Sequence, residues 1–389
     1  MPLPFDLAQR MHDIQPFHVM ELLRRARELE AAGRDIIHME VGEPDFGTPQ
    51  PIIDAATRFL ATGQVHYTSG LGLPALREAI AGHYRERFGV DLSPERVVVT
   101  PGASGALMLA LAATTDPGDR WLMPDPTYPS NRHLVRAFEG RVEGLPVSAA
   151  QAYQPTAEQV AAAWGERTRG LMVASPSNPT GTLIAPAQLS ALAATVRARR
   201  GVLIVDEIYQ GLTYGVEAST ALQHFDDAIV INSFSKYFGM TGWRLGWLIA
   251  PDGLAREIER LAQHFFIAAS TVAQHAALAA FSPQCLEIHE TRRAAFDARR
   301  QVLLPGLREL GFGVGAEPQG AFYIYADIGA LAPDCQQLAH RLIEEAGVAA
   351  TPGIDFGAHR NDQHMRFAYA TGVDRLHQAL ERIARIVRP

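Results

Sequence analysis

Of the 35 lysine and arginine side chains in this 389-residue sequence, only one is a lysine: Lys236, within Ser-Phe-Ser-Lys-Tyr-Phe-Gly-Met-Thr-Gly-Trp-Arg. Arginine therefore serves wherever the chain needs only a cation. A guanidinium keeps its proton and does not condense with a carbonyl, whereas an amine can be deprotonated by burial and act as a nucleophile or base. Any lysine chemistry is confined to position 236. Composition alone leaves open that a single lysine survived by codon drift, and the neighbouring residues decide the matter.

Four local patterns occur in order: Asp-Pro-Thr-Tyr-Pro at 125–129, Ser-Pro-Ser-Asn-Pro-Thr-Gly at 175–181, Val-Asp-Glu-Ile-Tyr at 205–209, and Ser-x-Ser-Lys at 233–236 followed eight residues later by Arg244. Each alone is weak, but their order and spacing together are specific. The sequence resembles the class I aminotransferases, which use pyridoxal 5'-phosphate on the scaffold called fold type I. The resemblance runs from Val-Gly-Glu-Pro-Asp-Phe at 41–46 to Met-Arg-Phe-Ala-Tyr-Ala at 365–370.

That resemblance implies a role for each position. Lys236 would bind the cofactor's aldehyde carbon covalently, and Arg244 would pair with its phosphate, since a planar fork matches an oxyanion. Ser233 and Ser235 would add hydroxyl donors, although a serine ending a strand is otherwise an ordinary turn residue. Thr-Pro-Gly-Ala-Ser-Gly at 100–105 lies between a strand and an Ala/Leu-rich helix expected to begin near Ser104. Small residues there let backbone amides approach an anion at a helix N-terminus. By itself the segment reads as a tight turn and cap; the resemblance makes Gly102, Ala103 and Ser104 the phosphate cup. Asp206 would face the pyridine nitrogen and keep the ring protonated. Asn178 and Tyr209 would hydrogen-bond the phenolic oxygen, and Tyr128 would stack on the ring. Tyr67 matches a tyrosine that crosses a homodimer interface to the partner's phosphate, its plain alternative being a core or interface tyrosine. Arg366 would receive the substrate α-carboxylate, with Gly42 and Asn178 beside it and the region of Val19 covering the pocket.

Positioning these groups requires a rigid scaffold. Short apolar runs bounded by turns recur at Val97, Leu171, Val202, Ala228 and Leu245, and such runs read as strands buried on both faces of a mostly parallel sheet. Loops at the carboxyl edge of such a sheet place side chains in a ligand crevice. Stretches such as Pro186 to Arg200 supply covering helices, so the fold class is α/β. From about residue 285 the texture changes to a long Arg/Glu-rich helix, strand candidates around Gly313 and Phe322 to Ala326, and helices at Cys335 to Ala346 and Asp374 to Val387. Leu376, Leu380, Ile383 and Ile386 line one face of the last helix. With a helix from Val19 to Ala32, these predict a smaller discontinuous α+β domain over 1–45 and 285–389 around a large cofactor-binding domain over 46–284.

With 20 % charged residues, a net charge of −7 and a pI near 6.1, the chain has no basic field for nucleic acid or anionic membrane. The opening residues lack a basic segment followed by an apolar core, and no apolar run reaches membrane-spanning length, so a soluble cytoplasmic protein is expected. Cys285 and Cys335 are expected as separate thiols, and the 14 histidines show no metal-ligand spacing.

The leading expectation is an aminotransferase acting between an amino acid and a 2-oxo acid with ping-pong kinetics. Carbon–sulfur β-lyases share this scaffold and cofactor, and the fold does not separate the two. Aminotransferase-like domains also occur as ligand sensors in transcription regulators; those need a DNA-binding module, and none is expected here because the family pattern begins close to the first residue and the net charge is acidic. Some prokaryotic aspartate aminotransferases of the family hold the substrate's second carboxylate with a lysine at the position of Ser104. Here the only lysine is committed elsewhere. Unless an arginine substitutes, from this chain or from a partner subunit, a neutral donor is expected to outperform aspartate, with glutamate as a shared partner substrate.

Overall fold

The computed structural model describes residues 4–217 and 219–388. Eleven strands are present among them: β1 (Ile37–Met39), β2 (Val97–Thr100), β3 (Arg120–Asp125), β4 (Arg141–Pro146), β5 (Thr168–Ala174), β6 (Val202–Asp206), β7 (Ile229–Ser233), β8 (Gly246–Ile249), β9 (Tyr323–Asp327), β10 (Val348–Pro352) and β11 (His364–Ala368). They form a seven-stranded sheet in the order β2-β8-β7-β6-β5-β3-β4 and a four-stranded sheet in the order β1-β10-β11-β9.

The large sheet is parallel except at β8, which runs antiparallel to both β2 and β7. A parallel return needs a crossover, usually a helix. The connection from Phe234 to Leu245 holds only one 3-10 turn, Thr241–Trp243, so the chain comes back antiparallel, and this connection carries Lys236 and Arg244. Alternation along β6 shows why the runs are apolar throughout. Leu203 and Val205 pack with Leu189, Leu192 and Val196 of the helix Pro186–Ala198, whereas Ile204 packs on the other side with Ala106, Leu107 and Ala110 of the helix Gly102–Thr114. Both faces are covered, as a parallel sheet requires.

In the small sheet β1 pairs parallel with β10, while β10, β11 and β9 pair antiparallel. Its helices are His18–Ala31, Pro283–Glu309, Cys335–Ala346 and Val373–Val387. Leu376, Ile383 and Ile386 are buried. Leu380 packs so closely on the long helix that a Cβ at Gly306 would lie 2.3 Å from its Cδ1.

Several expectations need correction. The segment around Gly313 is an isolated bridge to Asp327, not a strand, and the helix expected near Ser104 begins at Gly102. Strands β1, β3, β4 and β10 gave no clear apolar signal. β4 is a sheet edge with only Leu145 buried, so its pattern is polar. Cys285 and Cys335 are both buried and free. Among the described residues no helix is long and apolar enough to cross a membrane, and no three His, Cys, Asp or Glu residues gather in a group able to hold a metal.

Candidate active site

At the carboxyl ends of the parallel strands a cavity of about 350 Å³ opens between the two sheets. β3 leads into Tyr128, β5 into the loop holding Asn178, β6 ends on Asp206, and β7 ends on Ser233 before the turn with Ser235 and Lys236. From the small sheet come Arg366 on β11 and Gly42 just after β1. The structure brings Gly42, Ala103, Ser104, Tyr128, Asn178, Asp206, Tyr209, Ser233, Ser235, Lys236, Arg244 and Arg366 to the wall of this one cavity. Val19, on the helix His18–Ala31, lines it as well, with Phe17, Met20 and Leu23. Tyr67 does not: it is 79 % exposed on the surface of this chain.

Lys236 donates through Nζ to the Gly42 carbonyl at 2.5 Å. Burial pushes its pKa down to about 8; Arg366 and Arg244 push the same way, and Glu43 and Asp206 oppose. An amine of that basicity has a substantial neutral fraction in weakly alkaline solution. Asp206 is 6 % exposed and accepts one hydrogen bond, from the Ile208 amide at 3.0 Å. Burial raises its pKa to about 6, against the lowering influence of that amide and of Lys236. A carboxylate so placed lacks a full partner and suits a cationic ligand atom.

Gly102 does not itself line the cavity, yet it shapes it. Its φ is +71°, and a Cβ there would sit 2.5 Å from Nη2 of Arg244, so only glycine lets the guanidinium reach the start of the helix. A Cβ on Gly246 would likewise lie 2.7 Å from the Ala103 nitrogen. The result is a helix N-terminus with free amides beside a guanidinium, a geometry that fits a phosphate. Within the turn, the Ser233 and Ser235 hydroxyls lie 2.9 Å apart, and Ser233 Oγ accepts the Ser235 amide at 3.0 Å and lies 3.2 Å from the Leu245 carbonyl. Both serines line the cavity, and the Ser233 contacts also shape the turn.

Arg366 is 4 % exposed. It donates through Nη1 to Asn178 Oδ1 at 3.0 Å and through Nη2 to the Glu40 carbonyl and Thr351 Oγ1. Its Nε is buried with no partner, and its guanidinium lies over the rings of Tyr323 and Phe356, at 4.4 and 4.9 Å from their centroids. Orphaned donors of this kind cost about 1–3 kcal/mol, which an anionic ligand can offset.

Sequence reasoning missed Tyr323. Its hydroxyl shares a 2.8 Å hydrogen bond with that of Tyr209, and a Cβ on Gly42 would come within 2.7 Å of it. Burial lifts the Tyr323 pKa to about 12, with Arg366 and the Tyr209 hydroxyl opposing, and lifts Tyr209 well above the usual range. The signal available was a tyrosine within a buried strand, whose hydroxyl needs a partner. A larger cavity, about 870 Å³, adjoins the first and shares Phe17, Pro129 and Asp355 with it, but contains neither Lys236 nor Asp206.

A buried amine, a buried carboxylate and an arginine-backed helix start at the edge of a parallel sheet are the parts of a fold-type-I pyridoxal-phosphate enzyme. The sequence model of the family "Aminotransferase class I and II" matches residues 34–383. The valine–pyruvate aminotransferase of Mycobacterium tuberculosis is 39 % identical over 95 % of this chain and 96 % of its own length. The aspartate/prephenate aminotransferase of Thermus thermophilus is 36 % identical over 98 % of each. A crystal structure of an aminotransferase from Mycobacterium tuberculosis superposes with a TM-score of 0.94 at 38 % identity, covering 98 % of this chain and 99 % of the other. The chain belongs to the class I and II aminotransferases, and its activity is pyridoxal-phosphate-dependent transamination.

Proposed function

We propose that the protein moves the amino group of a neutral amino acid, aliphatic or aromatic, to a 2-oxo acid, and that it works as a cytoplasmic homodimer. The observation that carries the donor assignment is the set of cations in the cavity. Among the described residues, only Lys236, Arg244 and Arg366 line it as lysine or arginine, and each has a task there. Position 104 is serine, and much of the remaining wall is apolar, including Val19, Met20, Leu23, Leu107, Leu134 and Ile208. A second carboxylate buried there without a partner would carry a desolvation penalty that an apolar side chain avoids.

The division of labour follows from the chemistry of each group. When bound, the cofactor supplies an electrophilic carbon for the amine and a cationic ring that withdraws electrons from the substrate Cα. Arg244 holds the phosphate, with the amides of Gly102 and Ala103 and the hydroxyls of Ser104, Ser233 and Ser235. Asp206 keeps the ring nitrogen protonated, Asn178 and Tyr209 bind the phenolic oxygen, and Tyr128 covers the ring face. Arg366, with Asn178 and Gly42 beside it, fixes the α-carboxylate so that the α C–H points at Lys236. The Lys236 amine would take that proton from Cα and deliver it to the cofactor's electrophilic carbon within the same half-reaction, and would run the transfer in reverse in the second. Tyr67, exposed on its own chain, reaches the phosphate site of a second copy.

The valine–pyruvate relative supports a neutral donor, whereas the aspartate/prephenate relative names the competing possibility. Measuring kcat/KM for the first half-reaction across neutral donors, glutamate and aspartate tests the assignment. Alanine, an aliphatic or an aromatic donor should exceed aspartate, and a tenfold preference for aspartate over every neutral donor overturns it.

A further inference from the structure

The helix His18–Ala31 forms one wall of the cavity, yet its own sequence does not cap it. Phe17 occupies the N-cap position and offers no side-chain acceptor, so the first amides need partners from elsewhere. A single carboxylate provides both: Oδ1 of Asp355 accepts the His18 amide at 2.9 Å and Oδ2 accepts the Val19 amide at 3.0 Å. Asp355 is 3 % exposed.

Its loop is pinned in turn by the end of β3 and the segment that follows it. Arg132 donates to the Asp355 main-chain carbonyl, the Thr127 amide donates to the Phe356 carbonyl at 2.8 Å, and Asp125 accepts the amides of Ala358 and His359 at 2.9 and 3.1 Å. The contact is close: a Cβ on Gly357 would lie 1.7 Å from Asp125 Oδ1. The loop also carries Phe356, against the Arg366 guanidinium, while Phe17 stacks on Tyr128 with centroids 6.3 Å apart. Residues 355–359 therefore tie the wall helix, the arginine and the carboxyl end of β3 into one unit.

We propose that Asp355 is a positioning residue that holds the wall helix against the bound amino acid, with Arg132 holding Asp355. It acts through the His18 and Val19 amides, and the inference is independent of which donor the enzyme prefers, since the wall must be placed for any of them. A cap of purely structural value would lower stability and leave substrate affinity alone. A positioning cap makes affinity depend on the helix.

The test uses the holoenzyme with whichever donor it turns over best, comparing Asp355→Ala, Asp355→Asn and Arg132→Gln with the native protein. For Asp355→Ala, KM for the donor should rise about tenfold, equivalent to ~1.4 kcal/mol and within the range measured for a lost cap. kcat should stay within about twofold, cofactor retention should be unchanged, and hydrogen exchange of the peptide spanning residues 18–23 should accelerate. Asp355→Asn, which keeps one acceptor oxygen, should fall between, and Arg132→Gln should shift KM in the same direction. Native KM in Asp355→Ala overturns the proposal, as does a combined loss of kcat and cofactor retention that tracks overall stability. Should Asp355→Ala not fold, native KM in both other variants overturns it.

Discussion

Replacing Asp206 with asparagine should stabilise the cofactor-free protein while disabling the enzyme. The carboxyl is 6 % exposed and its one hydrogen bond comes from the Ile208 amide; burial lifts its pKa from 3.8 to about 6. A shift of that size corresponds to about 3 kcal/mol of unfavourable interaction in the charged form. The folded carboxyl holds its proton to higher pH than the unfolded one, so the folded state binds more protons between the two values. Stability therefore falls as pH rises through that window, and the full cost persists above about pH 6. The Asp206→Asn side chain keeps an oxygen for Ile208 and carries no charge. In urea unfolding of cofactor-free samples at one protein concentration, the variant should be more stable by up to about 3 kcal/mol at pH 8 and by about half of that at pH 5. In the holoenzyme the order of merit reverses, with half-reaction rates lower by at least about a hundredfold, the scale of losing one preorganised electrostatic group. Equal or lower stability of the variant at pH 8 refutes the burial argument, and near-native half-reaction rates refute the role.

Borohydride treatment of the holoprotein should add cofactor mass to the peptide containing Lys236 alone, and Lys236→Ala should abolish turnover; mass found elsewhere, or turnover retained, contradicts the assignment. In cofactor-free protein, acylation of the Lys236 amine should rise with a midpoint near pH 8, because burial favours the neutral amine; a midpoint near the 10.5 of a free lysine would count against it. Tyr67→Phe should weaken cofactor retention by about 1 kcal/mol, one hydrogen bond's worth, in a protein that sediments as a dimer, and a fully active monomer at assay concentration contradicts that reading.

How legible the site was depended on how local its signals are. Lys236, Arg244, Asp206 and Asn178 each sit in a short segment whose neighbours identify it, and the structure gathers all of them around one cavity. Tyr323, Thr351 and Phe356 were not legible. They matter because β9, β10 and the loop after β10 fold against residues hundreds of positions away, and nothing adjacent in sequence marks them. Strands β5, β6 and β7 were readable because both faces are buried, which makes them uniformly apolar. β4 was not, since an edge strand beside solvent has an ordinary polar composition.

Sequence alone determined the chemistry available: one lysine amine in the whole chain, a carboxylate ending an apolar run, and small residues where backbone amides must approach an anion at a helix start. Those are properties of residue type and immediate spacing. Only the tertiary structure decided how reactive the groups are and what surrounds them. Burial lowers Lys236 and raises Asp206, the Arg366 fork is oriented by Asn178 and the Glu40 carbonyl, and the wall helix is capped by Asp355 from the far end of the chain. Desolvation and capping are set by which distant atoms exclude water or donate across a gap, and that arrangement exists only once the two sheets have closed on the cavity.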